Sequence, residues 1–182
     1  MDSDLRLDRG TRGSSRRRRS PEGRNKDEGK QTMRETERIE DQLRRSVEVP
    51  AWHGPSLLEL LSDVTADTAA ARPENGGHTI GELVLHIKTW QDTAREHVKG
   101  ESVSVPDDRD FPPVTKHDED AWKAARDTMV QSADELGDVI RTLDDQALDR
   151  PVSGRDFSLY VLFQGVAQHN LYHAGQIALL KK

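Results

Sequence analysis

The sequence LFQGVAQHNLYHAGQIALL, at residues 162–180, is the clearest indication of how this chain folds. Its inward positions recur every three or four residues, which is typical of an amphipathic α-helix that packs against a core. These positions are Leu162, Val166, His169, His173, Ile177 and Leu180. Two histidines therefore stand in the middle of a stripe whose other members are aliphatic.

Three further segments have helical periodicity, and the chain shows no convincing strand alternation. Their expected ranges are about 33–47 with a continuation over 55–70, about 79–100, and about 118–143. Pro55 is expected in the first turn of the continuation, and residues 101–116 are expected to form a loop. Thr79 and Glu82 form a T-x-x-E capping box, and the last helix should begin near Ser158. The pattern predicts an all-α fold, most simply a four-helix bundle, without fixing its connectivity.

The first 32 residues differ from the rest of the chain in charge and hydropathy. They hold 10 Lys and Arg against 6 Asp and Glu, whereas the other residues hold 17 against 27. Their apolar side chains are Met1, Leu5 and Leu7, too few to offset the loss of chain entropy on folding. We therefore expect a disordered basic tail at 1–32 and one domain at 33–182. The arginine run at 16–19 leaves nucleic-acid or acidic-lipid contact open, beside a plain solvated extension.

The composition of the whole chain excludes several classes of protein. Its 182 residues include no cysteine, which excludes disulfides, thiolate zinc sites and a cysteine nucleophile. No apolar run approaches the roughly 18 residues that span a bilayer. We expect a soluble cytoplasmic protein whose strong metal ligands are histidines and carboxylates.

The two histidines of the last helix, His169 and His173, are candidate metal ligands. Residues four apart lie about 40° apart around a helix and about 6 Å along it, so both imidazoles can reach one point. His86, in ELVLHIKTW, falls on or beside the inward face of the helix that begins near residue 80. Three protein ligands with an open position are typical of a reactive zinc-like site. The alternative is a pair of core histidines hydrogen-bonded to the backbone or to each other.

The remaining histidines fit a metal site less well. His78, His97 and His117 lie beside charged residues or helix ends, and we expect all three to face solvent. His53, in AWHGPS, is expected to cap a turn, with the rim of the site as the alternative.

No catalytic residue can be identified from the pattern. Asn170 stands where the H-E-x-x-H zinc motif carries its glutamate, which disfavours a metalloprotease of that type. Asn170, Tyr172 and Gln176 are polar candidates for contacts around the ligands or with a substrate. Packing and helix–helix hydrogen bonds are the alternative for each.

The residues from about 33 to 182 resemble the DinB-like superfamily of small bacterial metal-binding helix bundles, also called YfiT-like metal-dependent hydrolases. The resemblance rests on ELVLHIKTW at 82–90, on GVAQHNLYHAGQIALL at 165–180, and on RIEDQLRRSVEVPAWHGPSLLELL at 38–61. It implies a four-helix bundle with crossover connectivity. It also implies a divalent metal ion, typically zinc or nickel, held by His86, His169 and His173.

Characterised relatives in this family include transferases and isomerases in which the metal activates a low-molecular-weight thiol. The resemblance therefore implies a metal-dependent enzyme, either a thiol-dependent transferase or a hydrolase, with a small-molecule substrate such as a thiol. A non-catalytic metal-binding or stress-response bundle is the alternative. A nucleic-acid-associated protein that acts through the arginine-rich tail is less favoured. No membrane partner is expected, and a homodimer is left open.

Overall fold

The computed structural model describes residues 32–74 and 76–182, and Met33–Lys182 forms one compact unit. The described residues contain seven α-helices, one 3₁₀ helix and no strand, which confirms the all-α prediction. The α-helices are α1 (Glu35–Val47), α2 (Leu57–Leu61), α3 (Ala66–Ala70), α4 (Ile80–Val98), α5 (Asp107–Asp110), α6 (Glu119–Thr142) and α7 (Leu159–Leu180). The 3₁₀ helix is Asp145–Asp149.

The four long helices α1, α4, α6 and α7 form the bundle. Helix α1 packs against α6 and α7, and α4 packs against the same two helices. Among the described residues, α1 does not pack against α4, nor α6 against α7, so these pairs stand at diagonal corners. An up-and-down bundle places consecutive helices side by side, whereas here the connections after α1 and after α6 cross the bundle. The crossing makes α4 and α7 neighbours, and these two helices carry the candidate metal ligands.

Several helices begin where the sequence predicts. The hydroxyl of Thr79 accepts a hydrogen bond from the backbone N–H of Glu82 at 3.1 Å, and the Glu82 carboxylate accepts one from the Thr79 N–H at 2.9 Å. Asp118 caps α6 by accepting a hydrogen bond from the Ala121 N–H. Helix α7 starts directly after Ser158. These caps satisfy backbone donors that the first helical turn leaves free.

The N-terminus of α1 is capped by a residue distant in sequence. The carboxylate of Asp145 accepts hydrogen bonds from the backbone N–H groups of Glu35 at 3.0 Å and Thr36 at 3.1 Å. These bonds lower the pKa of Asp145, and the helix dipole favours the same negative charge. The Arg34 guanidinium donates to the carbonyl oxygen of Leu143 at the end of α6. The start of α1 is thereby joined to the chain that follows α6.

The core consists of two apolar clusters with buried polar residues between them. One cluster includes Leu57, Leu83, Ile87, Met129 and Ile177. The other includes Ile39, Leu43, Leu136, Phe163 and Val166. At the helix positions between the clusters lie Ser46, Gln91 and Asn170, each at most 1% exposed. The Asn170 amide donates to the Ser46 hydroxyl oxygen at 3.0 Å, which links α7 to α1 through this polar layer.

The segment 55–70 and the loop 101–116 depart from prediction. The apolar face expected to run unbroken to residue 70 is two short helices, because Thr65 starts a new helix by accepting a hydrogen bond from the Thr68 N–H. Pro55 lies before the first turn of α2, which Ser56 caps. The loop expected at 101–116 contains α5, a single turn too short to show periodicity.

The buried face of α7 is displaced from the predicted stripe. Its buried residues are Leu159, Phe163, Val166, Ala167, Asn170, His173, Ala174 and Ile177. Leu162, His169 and Leu180, expected to face inward, are half-buried at the edge of this face. Asn170 faces the core because α1 supplies a partner for its amide, which no pattern on α7 can show.

None of the described helices is long and apolar enough to cross a membrane. The predicted disordered tail at 1–32 lies outside the described residues except for Thr32.

Candidate metal centre

Three imidazoles meet where α4 packs against α7. The Nε2 atoms of His86 and His169 lie 2.9 Å apart, and those of His169 and His173 also lie 2.9 Å apart. One ligand atom from each histidine lies within 4.8 Å of the other two. The structure therefore brings together all three histidines that were predicted from the sequence as metal ligands. One lies on α4 and two lie on adjacent turns of α7.

The outer nitrogens of two of these rings fix their tautomers. The Nδ1 atom of His86 lies 2.7 Å from the backbone carbonyl oxygen of Asp110, and that of His173 lies 2.7 Å from Oε1 of Gln176. Because these oxygens only accept, each neutral ring carries its proton on Nδ1 and an Nε2 lone pair toward the third ring. His169 has at most one Nε2 proton to offer two lone pairs. The donor set therefore fits a cation at the centre, which three lone pairs can coordinate together.

Burial keeps the imidazoles in the neutral form that binds metal. Burial, reinforced by the neighbouring rings of His173 and His86, lowers the pKa of His169 to about 3. Burial also lowers the pKa of His86 against the opposing effect of Asp110, and that of His173 against the opposing effect of Gln176. Protons therefore compete weakly for these nitrogens at neutral pH.

Asp110, at the end of α5, and Phe111, the residue after it, both contact the His86 ring. Asp110 supplies the backbone oxygen at 2.7 Å, and its Oδ1 atom lies 3.0 Å from the same Nδ1 atom. Oδ1 also accepts a hydrogen bond from the Trp90 indole N–H at 2.8 Å. The Phe111 ring stacks on His86 with centroids 3.9 Å apart, and the His78 ring stacks on Phe111 at 3.6 Å. Sequence reasoning missed Asp110 and Phe111 because they lie in an expected loop without periodicity.

A cavity of about 430 Å³ adjoins the triad, within the size range of small-molecule sites. Its walls are formed by His86, Trp90, Asp110, Phe157, Val161, Leu162, Gly165, Val166 and His169. Because His86 and His169 are part of the wall, a molecule in this cavity contacts the triad directly. Another cavity, of about 380 Å³ between α3, α6 and the loop before α6, contains none of the three histidines.

The three polar candidates on α7 have different surroundings. Gln176 touches the triad through His173, as described above. Tyr172 is 66% exposed and meets the His173 ring edge-on, with centroids 5.1 Å apart. Asn170 is fully buried and bonds to Ser46, so it serves helix–helix packing.

The other histidines lie outside the triad. His53 and His117 are exposed, and α2 is capped by Ser56 rather than by His53. His78 is exposed as predicted, although its ring stacks on Phe111. The prediction for His97 was wrong, since this residue is only 5% exposed. Gly100, at φ 90°, turns the chain back so that the Glu101 carbonyl oxygen lies 3.2 Å from the His97 Nδ1 atom.

Comparison with known proteins bears on the origin of this arrangement. The family model described as DinB superfamily matches residues 51–177, a range that includes all three histidines. No curated protein matches the sequence. The chain belongs to the DinB superfamily.

Proposed function

We propose that this protein is a metal-dependent enzyme whose divalent ion, zinc or nickel, is held by His86, His169 and His173. The supporting observation is the convergence of three Nε2 atoms, two of which, on His86 and His173, keep a lone pair because an oxygen atom holds the proton of each ring at Nδ1. The reaction we propose is a thiol-dependent transfer or a hydrolysis on a small molecule. Access through the adjoining cavity supports a substrate that contacts the triad.

When bound, such an ion would lower the pKa of a coordinated water or thiol and so supply a nucleophile at neutral pH. The chain's own residues prepare the site for it. Asp110 and Gln176 hold protons at the outer nitrogens of His86 and His173 and thereby orient both rings. The Phe111 ring stacks on His86 and so limits its rotation, and the apolar cavity wall would cover part of a bound substrate.

A non-catalytic metal-binding protein is the second candidate. This candidate is favoured by the contacts of Asp110, which is the one carboxylate among the described residues that line the cavity. Its Oδ1 atom is already engaged by Trp90 and His86, so it is better suited to positioning than to proton transfer.

The test begins with metal loading of the full chain. The protein is dialysed against zinc or nickel, separated from free metal, and its metal content is measured by mass spectrometry. We expect one ion per chain, lost in His169→Ala and kept in His117→Ala, an exposed control outside the site. Full loading of His169→Ala would contradict the proposed centre.

Catalysis is tested separately on the loaded protein. Pairs of a low-molecular-weight thiol and an electrophile, and a set of esters and amides, are screened with loaded and chelated protein. Turnover that requires the metal and is lost in His169→Ala supports the enzyme. Stoichiometric metal without turnover of any pair favours the non-catalytic candidate.

A further inference from the structure

The walls of the cavity beside the triad are apolar except at the two histidines and Asp110. Five side chains form most of the wall: Trp90, Phe157, Val161, Leu162 and Val166. No lysine or arginine is among the described residues that line it. An anionic group placed against the five apolar side chains would lose water without gaining a counter-charge from them, which is costly.

The indole of Trp90 and the carboxylate of Asp110, both in this wall, are paired with each other. The Trp90 indole N–H donates to Asp110 at 2.8 Å, so the indole has no free donor for a ligand. The same carboxylate oxygen lies 3.0 Å from the His86 Nδ1 atom. The Asp110 carboxylate would repel an anion along this wall. An ion held by the triad would repel a cation, and it would attract an anion only at the end of the cavity that the histidines form. The wall therefore favours a neutral group.

Gly165 leaves room in this wall for a ligand. It lies inside α7, where glycine is less favourable than alanine by about 1 kcal/mol. Apart from its chain neighbours and the adjacent backbone of α7, a Cβ atom at residue 165 would meet no atom within 4 Å, so packing within the chain does not require glycine there. Gly175 lies on the same helix, also has no atom within 4 Å of an added Cβ, and does not line the cavity. The two glycines form a matched pair for testing the space at residue 165.

We propose that the substrate of this protein presents an uncharged aromatic or aliphatic group to the cavity formed by Trp90, Phe157, Val161, Leu162 and Val166. Its reacting polar group then lies against His86 and His169. The inference rests on the proposed function in taking this cavity as the substrate site. It also adds a constraint, because a charged part of any thiol or electrophile must remain outside this wall.

The selectivity of the cavity can be measured with two fluorescent probes that share one skeleton. N-phenyl-1-naphthylamine is neutral, and 8-anilino-1-naphthalenesulfonate adds one sulfonate. Both are titrated into the full chain after chelation, so that the sulfonate gains nothing from a metal ion. We expect the neutral probe to bind with one site and at least about tenfold more tightly, given the cost of an unpaired buried charge. Equal affinities, or preference for the sulfonate, would overturn the proposal.

Two variants locate the binding in this cavity. Gly165→Leu should weaken the neutral probe at least about tenfold by filling its space, whereas Gly175→Leu should leave the affinity unchanged. Both replacements raise helix propensity, and circular dichroism would check that each variant is folded. Val161→Lys, at a residue 51% exposed, adds a cation to the wall. It should tighten the sulfonate probe about two- to fivefold, as expected for an exposed ion pair.

The outcomes separate this inference from the proposed function. Metal content is measured on the same samples before chelation. If the protein holds metal but Gly165→Leu does not change its affinity for the neutral probe, the metal centre is supported and the apolar cavity is overturned. If the protein holds no metal but Gly165→Leu weakens its binding of the neutral probe, the apolar cavity is supported and the metal centre is overturned.

Discussion

The Nδ1 atom of His173 lies 2.7 Å from the side-chain oxygen of Gln176, which stands one turn further along α7. This contact orients the ring and makes its Nε2 atom the free ligand. We therefore propose Gln176 as a positioning residue for the candidate metal centre, although it does not belong to the triad.

Replacing Gln176 tests this role. Gln176→Leu should lower metal affinity about 10- to 100-fold, the usual cost of losing a hydrogen-bond partner of a ligand. Gln176→Glu keeps an acceptor and should retain the wild-type affinity or exceed it. Affinities are measured by competition with a chromophoric chelator. Gln168→Leu, at an exposed residue of the same helix, is the control. Wild-type affinity in Gln176→Leu would show that the contact does not support the site.

His86 should contribute as much to metal binding as either histidine of α7. His86→Ala is expected to reduce affinity to the same extent as His169→Ala, although the two residues are 83 positions apart. The physical reason is that each supplies one of three lone pairs to the same point. Isothermal titration with zinc or nickel measures the effect. A His86→Ala variant with full stoichiometry and unchanged affinity would remove His86 from the site.

Stability should fall on acidification in a way that depends on metal. Folding lowers the pKa of His169 from 6.5 to about 3, so between these values the unfolded chain binds a proton that the folded chain excludes. The free energy of unfolding is therefore highest above about pH 6.5 and falls as the pH drops toward 3. Bound metal adds a stabilisation of about 2.7 kcal/mol at 100 times Kd, and protons remove it by displacing the ion.

Melting temperature against pH, with and without chelator, measures both effects. The loaded protein should melt higher at neutral pH, and the two curves should approach each other as the pH falls from about 6 toward 3. Curves that superimpose over the whole range would mean that the histidines are hydrogen-bonded core residues without a metal.

Removing the basic segment should leave the bundle intact. We propose that the domain begins at residue 33, and a chain that starts at Met33 should melt within a few degrees of the full chain and bind metal equally. The three apolar side chains of residues 1–32 offer little to bury. A chain that starts at Ile39 is the contrast, because it loses the hydrogen bonds of Glu35 and Thr36 to Asp145 and should melt lower. A large loss of stability on removing residues 1–32 alone would contradict the proposed boundary.

Local signals in the sequence were sufficient for the helix starts and for the histidines. The Thr79–Glu82 capping box acts within one turn, so its residues alone predict the start of α4. His169 and His173 share a face because helical geometry places residues four apart together. His86 was found because it lies near the apolar stripe of α4.

Contacts between distant residues could not be read from the sequence in the same way. From the sequence, Asn170 was a candidate either for contacts around the ligands or for helix–helix packing, and only the fold shows that its amide nitrogen donates to Ser46 on another helix. Nothing in the sequence around Asp110 indicates that this residue contacts His86, because only the fold brings its carbonyl oxygen to the ring. The burial of His97 likewise depends on how the chain turns at Gly100.

The connections that cross the bundle have a kinetic consequence. Contacts between residues far apart in sequence require long loops to close, so we expect the triad to be completed late in folding. An ion that needs all three imidazoles then gains its contacts after the transition state, which slows unfolding and leaves the folding rate nearly unchanged. Bound metal would therefore lengthen the lifetime of the folded state and leave the rate of folding nearly unchanged.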